Sequence, residues 1–322
     1  MLYLVTGGAG FIGSNLAREI LHRGARVRIF DNFATGRREN VEDLRGRIEL
    51  LEGDIRDAAA CREAVKGADF VLHQAALGSV PRSVVDPVTT HDVNITGTLN
   101  MLIAARDAKA KRFVFASSSS VYGNSEALEK VETLPTLPLS PYATSKLAAE
   151  SYTTVFHGVY GLPTVALRYF NVFGPRQDPD SQYAAVIPLF VKHLLENTAP
   201  VIYGDGEQTR DFTYVANVVQ ANLKACEAGL SACGRAYNVA CAAKASINRL
   251  FEHIADRLGS TLRPRYLPER KGDVRRSLAD IGLARKHLGY QPTHTLEQGL
   301  DEALDWYKKN LAAPSAVKTP SR

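Results

Sequence analysis

Short apolar runs alternate with amphipathic stretches through the first half of the chain. The runs at residues 2–6, 26–30, 48–52, 70–73 and 112–117 have the length and composition of buried strands. Between them, residues 11–23 and 93–107 carry apolar positions at helical spacing. Alternation of this kind predicts a parallel sheet with helices on both faces. Residues 142–160 predict a long helix entered through Ser140-Pro141, where the fixed φ of proline suits the first turn. Residues 163–169 predict the next buried strand. After Asn171 the texture changes, with breaks at Gly174-Pro175, Asp178-Pro179 and Pro188. From there to about residue 300, short helical patterns alternate with polar and basic loops. The predicted fold is α/β. A Rossmann-like doubly wound parallel sheet spans residues 1–170. A smaller C-terminal α/β lobe spans residues 171–322, with some segments returning to the first domain. Residues 312–322, small, polar and proline-containing, predict a frayed end.

The 322 residues can bury a large core, and 45% hydrophobic with 23% charged content is ordinary for a soluble globular protein. The net charge of +5 is a mild excess with no long basic run. It argues against nucleic acid and suits an acidic small molecule such as a nucleotide diphosphate. Cys61, Cys226, Cys233 and Cys241 form no Cys-x-x-Cys pair, and no His cluster has metal-ligand spacing. Four reduced thiols, a first strand starting at residue 2 and no apolar run near the ~20 residues of a membrane span predict a cytoplasmic protein without membrane attachment.

Candidate chemistry begins right after the first strand. Gly8-Ala9-Gly10-Phe11-Ile12-Gly13 satisfies G-x-G-x-x-G, and Gly7 with Gly10 and Gly13 gives a second register of glycines. Such a turn lets the backbone approach a pyrophosphate at a helix start, whose N–H groups and dipole attract it. Phe11 and Ile12 supply the first of those amides. Asp31 follows Gly13 by 18 residues, at the end of the second strand. A carboxylate there accepts bonds from ribose hydroxyls and repels a 2′-phosphate, which favours NAD over NADP. Asn32 adjoins it. Asp54-Ile55, after the third strand, is placed to meet the adenine, and Asn94 and Tyr169 are further candidates for cofactor contact.

Tyr142 and Lys146 stand one helical turn apart and share a face. Tyrosine, with a pKa of about 10, is a poor base at neutral pH. A nearby ammonium and a positively charged nicotinamide ring would both lower that value. Tyr142 can then take a proton from a sugar hydroxyl as hydride leaves the same carbon, while Lys146 also holds the nicotinamide ribose. Ser117, Ser118, Ser119 and Ser120 lie at the carboxyl edge of a strand, where open α/β sheets hold ligands. One of these hydroxyls can relay the proton.

The fingerprint, the serine-rich strand end before Val121-Tyr122-Gly123, the Tyr-x-x-x-Lys helix and the segment LRYFNVFGPRQDP together resemble extended short-chain dehydrogenases/reductases over almost the whole chain. Within that group, HQAALGSVPRS, LRYFNVFGPRQDP, YAAVIP and DGEQTRDFTYV are similar to UDP-N-acetylglucosamine 4-epimerases. The resemblance implies oxidation of C4 of a UDP-sugar by tightly bound NAD, turnover of the 4-keto sugar, and return of the hydride to the other face. It implies Ser118 as catalytic serine, Tyr142 as base and Lys146 as the catalytic lysine. Ser119 and Asn171 would contact the sugar, and Gly78, Ser79, Ala185 and Val186 would line its pocket. Arg210 and Arg270 would hold the diphosphate, Tyr203 would pack on uracil, and Asp273 would meet the uridine ribose. It also implies a homodimer through the helices at 93–107 and 142–160.

Two departures narrow the reading. Related dehydratases and decarboxylases carry an acid just after the catalytic hydroxyl, whereas Ser119 and Ser120 stand there in this chain. Epimerisation needs no such acid, because only the O4 proton moves. Ser277 falls where epimerases limited to unacetylated sugars carry a tyrosine, which leaves room for a 2-N-acetyl group and does not exclude UDP-glucose. A UDP-glucuronate 4-epimerase is the nearest alternative, with a similar ASSSSVYG strand end. Asn171 speaks against it, since those enzymes read RFFTVYG or RYFTVYG at that place. A non-catalytic NAD-binding regulator on the same fold is the alternative of another class.

Overall fold

The computed structural model describes residues 1–178, 185–269 and 275–311. Its strands are β1 (Leu2–Thr6), β2 (Arg26–Asp31), β3 (Glu49–Glu52), β4 (Phe70–His73), β5 (Arg112–Ser118), β6 (Thr164–Tyr169), β7 (Val172–Phe173), β8 (Val201–Tyr203), β9 (Thr209–Arg210), β10 (Thr213–Tyr214), β11 (Arg235–Val239), β12 (Ala245–Ser246) and β13 (Arg265–Leu267). Its helices are α1 (Phe11–His22), α2 (Ala58–Val65), α3 (Val80–Val85), α4 (Pro87–His91), α5 (Gly97–Asp107), α6 (Pro141–Tyr160), α7 (Val186–Leu195), α8 (Val215–Glu227), α9 (Ile247–Leu258), α10 (Gly282–Leu288) and α11 (Leu296–Leu311). A π-helical stretch, Asp92–Thr96, leads into α5. The frayed end expected at 312–322 lies outside the described residues.

Seven strands form one sheet in the order β11-β6-β5-β4-β1-β2-β3, and every pairing in it is parallel. Alternate residues of the inner strands enter opposite apolar layers, as the side-chain period of two requires. Val5, Leu72, Val114 and Leu167 pack on the face covered by α1 and α8. Leu4, Val71, Phe113 and Ala166 pack on the face covered by α2, α5 and α6. The sheet is therefore doubly wound, as the alternation predicts. The strand order reverses between β1 and β4. Parallel sheets of this kind open a crevice outside the carboxyl ends of the strands at that switch point.

The chain beyond residue 170 builds three two-stranded ribbons, β7 with β10, β9 with β12 and β8 with β13, alongside α7, α9 and α11. Phe190 of α7 and Phe251 of α9 meet edge-on with ring centres 5.7 Å apart. From the same half, β11 and α8 rejoin the large sheet. None of the described helices is long and apolar enough to cross a membrane.

Candidate functional site

The crevice at the switch point is a cleft of about 670 Å³. Gly7 leaves β1 with φ +64°, and its N–H donates to Phe30 O at 2.9 Å. A Cβ on Gly13 would lie 2.2 Å from Gly7 O, so only glycine lets α1 start this close to the turn. Gly10 caps α1 without a side-chain acceptor, which leaves the first-turn amides facing the cleft beside Phe11 and Ile12. This cradle fits a dinucleotide pyrophosphate. Gly13→Ala is expected to weaken NAD retention about 10- to 100-fold through overpacking, read as NAD content after gel filtration.

Asp31 ends β2, is buried, and lines the cleft. Its Oδ2 accepts from Ala9 N at 2.9 Å and its Oδ1 from Phe33 N at 2.8 Å. Burial raises its pKa, and those two amides partly offset the shift. Asn32 Nδ2 donates to Asp54 Oδ2 at 2.8 Å, and Arg56 pairs with the same carboxylate at 2.7 Å. The Arg56 bonds hold Asp54 down at about 2. Ile55 lies beside them on the cleft wall. Asn94 lies behind the wall and is not among the cleft-lining residues. Its Oδ1 accepts from Leu77 N at 2.8 Å, and its Nδ2 donates to Ser145 Oγ at 2.9 Å. Tyr169 reaches the cleft with its hydroxyl bonded to Gln74 and Asn222.

The reacting groups sit where β5 meets α6. Ser140 caps α6 by accepting from Ala143 N at 3.1 Å, and Tyr142 N donates to Ser83 Oγ at 3.0 Å. These bonds fix the first turn, and so the height of the Tyr142 ring in the cleft. One turn on, Lys146 Nζ donates to Ala116 O at 2.8 Å and stands 5.0 Å over the Phe115 ring. The serines divide by strand alternation. Ser117, Ser118 and Ser119 all border the cleft, but Ser117 is buried and its hydroxyl donates to Glu150 Oε2 at 2.5 Å. Ser120 Oγ donates to Ser118 Oγ at 2.9 Å, and Ser118 also hydrogen-bonds Tyr142.

The electrostatics differ from the expectation of a depressed tyrosine. Burial raises the Tyr142 pKa, and the Ser118 bond offsets it only in part. Burial also lowers Lys146 to about 7. Each group is pushed toward its neutral form by desolvation. A lowered tyrosine therefore requires positive charge added to the cleft.

A second cavity of about 290 Å³ is lined by Asn171, Ala185, Val186, Tyr203 and Arg210 among others, and shares Asn171, Val172 and Ala185 with the cleft. Asn171 adopts φ +34° and donates from Nδ2 to Asp211 O at 3.0 Å. Gln208 and Phe212 also line this cavity and were not singled out from sequence. Both lie in the DGEQTRDFTYV segment that carried the resemblance, and neither has a spacing of its own to mark it. Gly78 and Ser79 lie on the cleft wall. A Cβ on Gly78 would meet open space, while Ser79 Oγ caps α3 by accepting from Arg82 N at 3.1 Å. Ser277 is half-buried and donates from its N–H to Thr209 O at 3.1 Å, and it is not among the residues lining either cavity. Arg270 and Asp273 lie outside the described residues. Among the described residues, no group of three His, Cys, Asp or Glu could hold a metal.

Residues 3–240 match the NAD dependent epimerase/dehydratase family. A UDP-N-acetylglucosamine 4-epimerase of Methanobrevibacter ruminantium, solved with UDP-N-acetylmuramic acid, is 42% identical, with a TM-score of 0.91 over 96% of this chain and 98% of that one. The UDP-glucose 4-epimerase of Thermus thermophilus, solved with NAD, is 35% identical, with a TM-score of 0.86 over 98% of this chain and 100% of that one. A UDP-glucose 4-epimerase of Mycolicibacterium smegmatis is 37% identical over 96% of this chain and 99% of its own length.

Proposed function

The chain belongs to the NAD dependent epimerase/dehydratase family, and from that premise we propose that this NAD-dependent UDP-sugar 4-epimerase acts on UDP-N-acetylglucosamine and UDP-N-acetylgalactosamine. One observation carries the choice of epimerisation over elimination. Ser118, Ser119, Tyr142 and Lys146 meet in the cleft with no carboxylate among them; of the described lining acids, Asp31 ends β2, Asp54 follows β3, and Asp178 pairs with Arg37. Loss of water or of a carboxylate lacks its acid, whereas moving the O4 proton needs only hydroxyls.

NAD, when bound, accepts the hydride from C4 and returns it to the sugar. Gly7, Gly10, Phe11, Ile12 and Gly13 would hold its pyrophosphate, and Asp31 with Asn32 its adenosine ribose. Asp54 and Ile55 would meet the adenine, Lys146 and Tyr169 would support the nicotinamide half, and Asn94, behind the wall, would act only by holding Leu77 and Ser145 in place. Ser118 and Tyr142 hold O4, and Tyr142 takes its proton and later gives it back. The 4-keto sugar turns over between the two transfers. Arg210 and Tyr203 hold the UDP half, with Arg270 and Asp273 assigned to the same task. Asn171, Ser119, Ser79, Gly78, Ala185 and Val186 shape the sugar's surroundings. The second-cavity residues all come from beyond residue 170. That supports a division in which residues 1–170 bind NAD and 171–322 mainly bind the UDP-sugar.

The acetylated sugar is supported by the 42% identity to a UDP-N-acetylglucosamine 4-epimerase and by the resemblance that sets Ser277 at a tyrosine position, although Ser277 lines neither cavity. Ser277→Tyr is expected to lower UDP-N-acetylglucosamine turnover at least about tenfold relative to UDP-glucose. The purified enzyme should be incubated separately with UDP-N-acetylglucosamine, UDP-glucose and UDP-glucuronate and the products separated. Turnover of the acid alone would overturn the proposed substrate. The proposal includes a homodimer through α5 and α6, where Tyr152, Val155, Val159 and Tyr160 are exposed on one helix. A solution mass near 35.1 kDa would exclude it. Cysteines that are all free accord with a cytoplasmic enzyme.

A further inference from the structure

We infer that residues 174–178 form a clasp over the dinucleotide cleft, in which Arg176 is a further ligand of the NAD pyrophosphate. The inference rests on the reading of this cleft as the NAD site. The segment leaves β7 and crosses back to α1. Asn15, on the second turn of α1, holds it from both sides of the amide. Its Nδ2 donates to Pro175 O at 3.1 Å, and its Oδ1 accepts from Arg176 Nη1 at 3.2 Å. The same Nδ2 donates to Phe11 O at 2.8 Å, which ties the clasp to the first turn of the helix. Tyr307 donates its hydroxyl to Gly174 O at 3.2 Å, and Arg37 pairs with Asp178 at 2.5 Å from the loop after β2. Arg176 itself has φ +71°, a conformation that a long L side chain keeps only where its surroundings hold it.

The chemistry offered by the clasp is incomplete without an anion. The Arg176 guanidinium is half-buried on the cleft wall, and among the described residues no carboxylate pairs with it. Nearby cations have their own partners, Arg18 with Asp43 and Arg37 with Asp178. Burial lowers the Arg176 pKa to about 10, Arg18 adds to that shift, and the Asp43 carboxylate, which is paired with Arg18, opposes it only in part. A desolvated cation with only a neutral amide partner gains most from phosphate oxygens, which its planar fork matches. Beside it, Gln177 Oε1 is buried without a hydrogen-bond partner and lines the same cleft, so the clasp also presents an unfilled acceptor. Arg176, Gln177 and Asp178 line the dinucleotide cleft and are absent from the lining of the second cavity. That assigns the guanidinium to the cofactor's pyrophosphate rather than to that of the UDP-sugar.

The test is the rate at which the NAD-loaded protein releases NAD into excess nicotinamide-free buffer, measured by chromatography of the retained cofactor. Arg176→Gln should release NAD roughly 10- to 100-fold faster, with less dependence on salt than the wild type. Arg176→Lys should recover much of the retention, and UDP affinity should stay within about twofold in both, as a cation acting on the cofactor alone requires. Release at the wild-type rate from Arg176→Gln, or weakened UDP binding with NAD retention intact, overturns the inference. A wild-type protein that binds no NAD would instead overturn the reading of the cleft itself.

Discussion

Tyr142→Phe should keep NAD bound and lose about 10²- to 10⁴-fold in UDP-sugar turnover, the range expected when a positioned acid–base group is removed. The substitution deletes one hydroxyl and little else. The first turn of α6 is fixed by Ser140 and Ser83 through backbone amides, which the ring does not touch. Lys146 keeps its own anchor on Ala116 O. The hydroxyl, by contrast, is the group bonded to Ser118, and burial has raised its pKa rather than lowered it. The phenol therefore stays protonated until positive charge enters the cleft, which couples its basicity to a loaded site. Turnover should be measured by product separation, and NAD content by absorbance after denaturation of the same sample. A variant within tenfold of wild type would remove Tyr142 from the chemistry. Loss of NAD together with activity would show a structural role instead.

What sequence could show, and what it could not, follows from how local each signal is. β1, β4 and β6 are nearly continuous apolar runs, and their predicted ends fall within a residue of the observed ones. The glycine turn and the Tyr142–Lys146 spacing are likewise local, so both stand out in the chain. β11 escaped because Asn238 interrupts its apolar pattern. That amide is wholly buried and donates to Lys130 O and Asp280 O while accepting from Tyr122, all partners from distant parts of the chain. α3 and α4 escaped because they are short, although Ser79 and Asp86 cap them. In the site, the split between an inward Ser117 and a cleft-facing Ser118 depends on which face of β5 each side chain takes. Arg176 reads as a loop residue after Gly-Pro, and only Asn15, 161 positions away, gives it a place. The raised Tyr142 pKa was not legible for a related reason. Spacing reveals the nearby charge, whereas burial is a property of the assembled fold.

Arg168→Met should destabilise the protein by about 3–5 kcal/mol, the cost of leaving a buried carboxylate without its counter-charge. Arg168 of β6 and Glu150 of α6 are 6% and 7% exposed, and the guanidinium reaches both carboxylate oxygens, at 2.6 Å from Nη2 and 3.0 Å from Nε. Ser117 of β5 donates to the same carboxylate at 2.5 Å. Glu150 lies one turn beyond Lys146 on α6, so β5 grips the catalytic helix at successive turns, through Ala116 O and then through Ser117. On its other side, the guanidinium stands 4.8 Å over the Tyr122 ring, in the turn that follows Ser118. The pair therefore ties the helix bearing Tyr142 to the strand end bearing Ser118. Denaturant unfolding should show the midpoint falling. Turnover of the folded fraction should fall as well, because the two hydroxyls lose their common support. The double variant Arg168→Met with Glu150→Leu should recover much of the stability, since removing both charges together leaves neither one buried alone. A single variant losing less than about 1 kcal/mol, the worth of a surface pair, would show that solvent already reaches the Glu150 carboxylate.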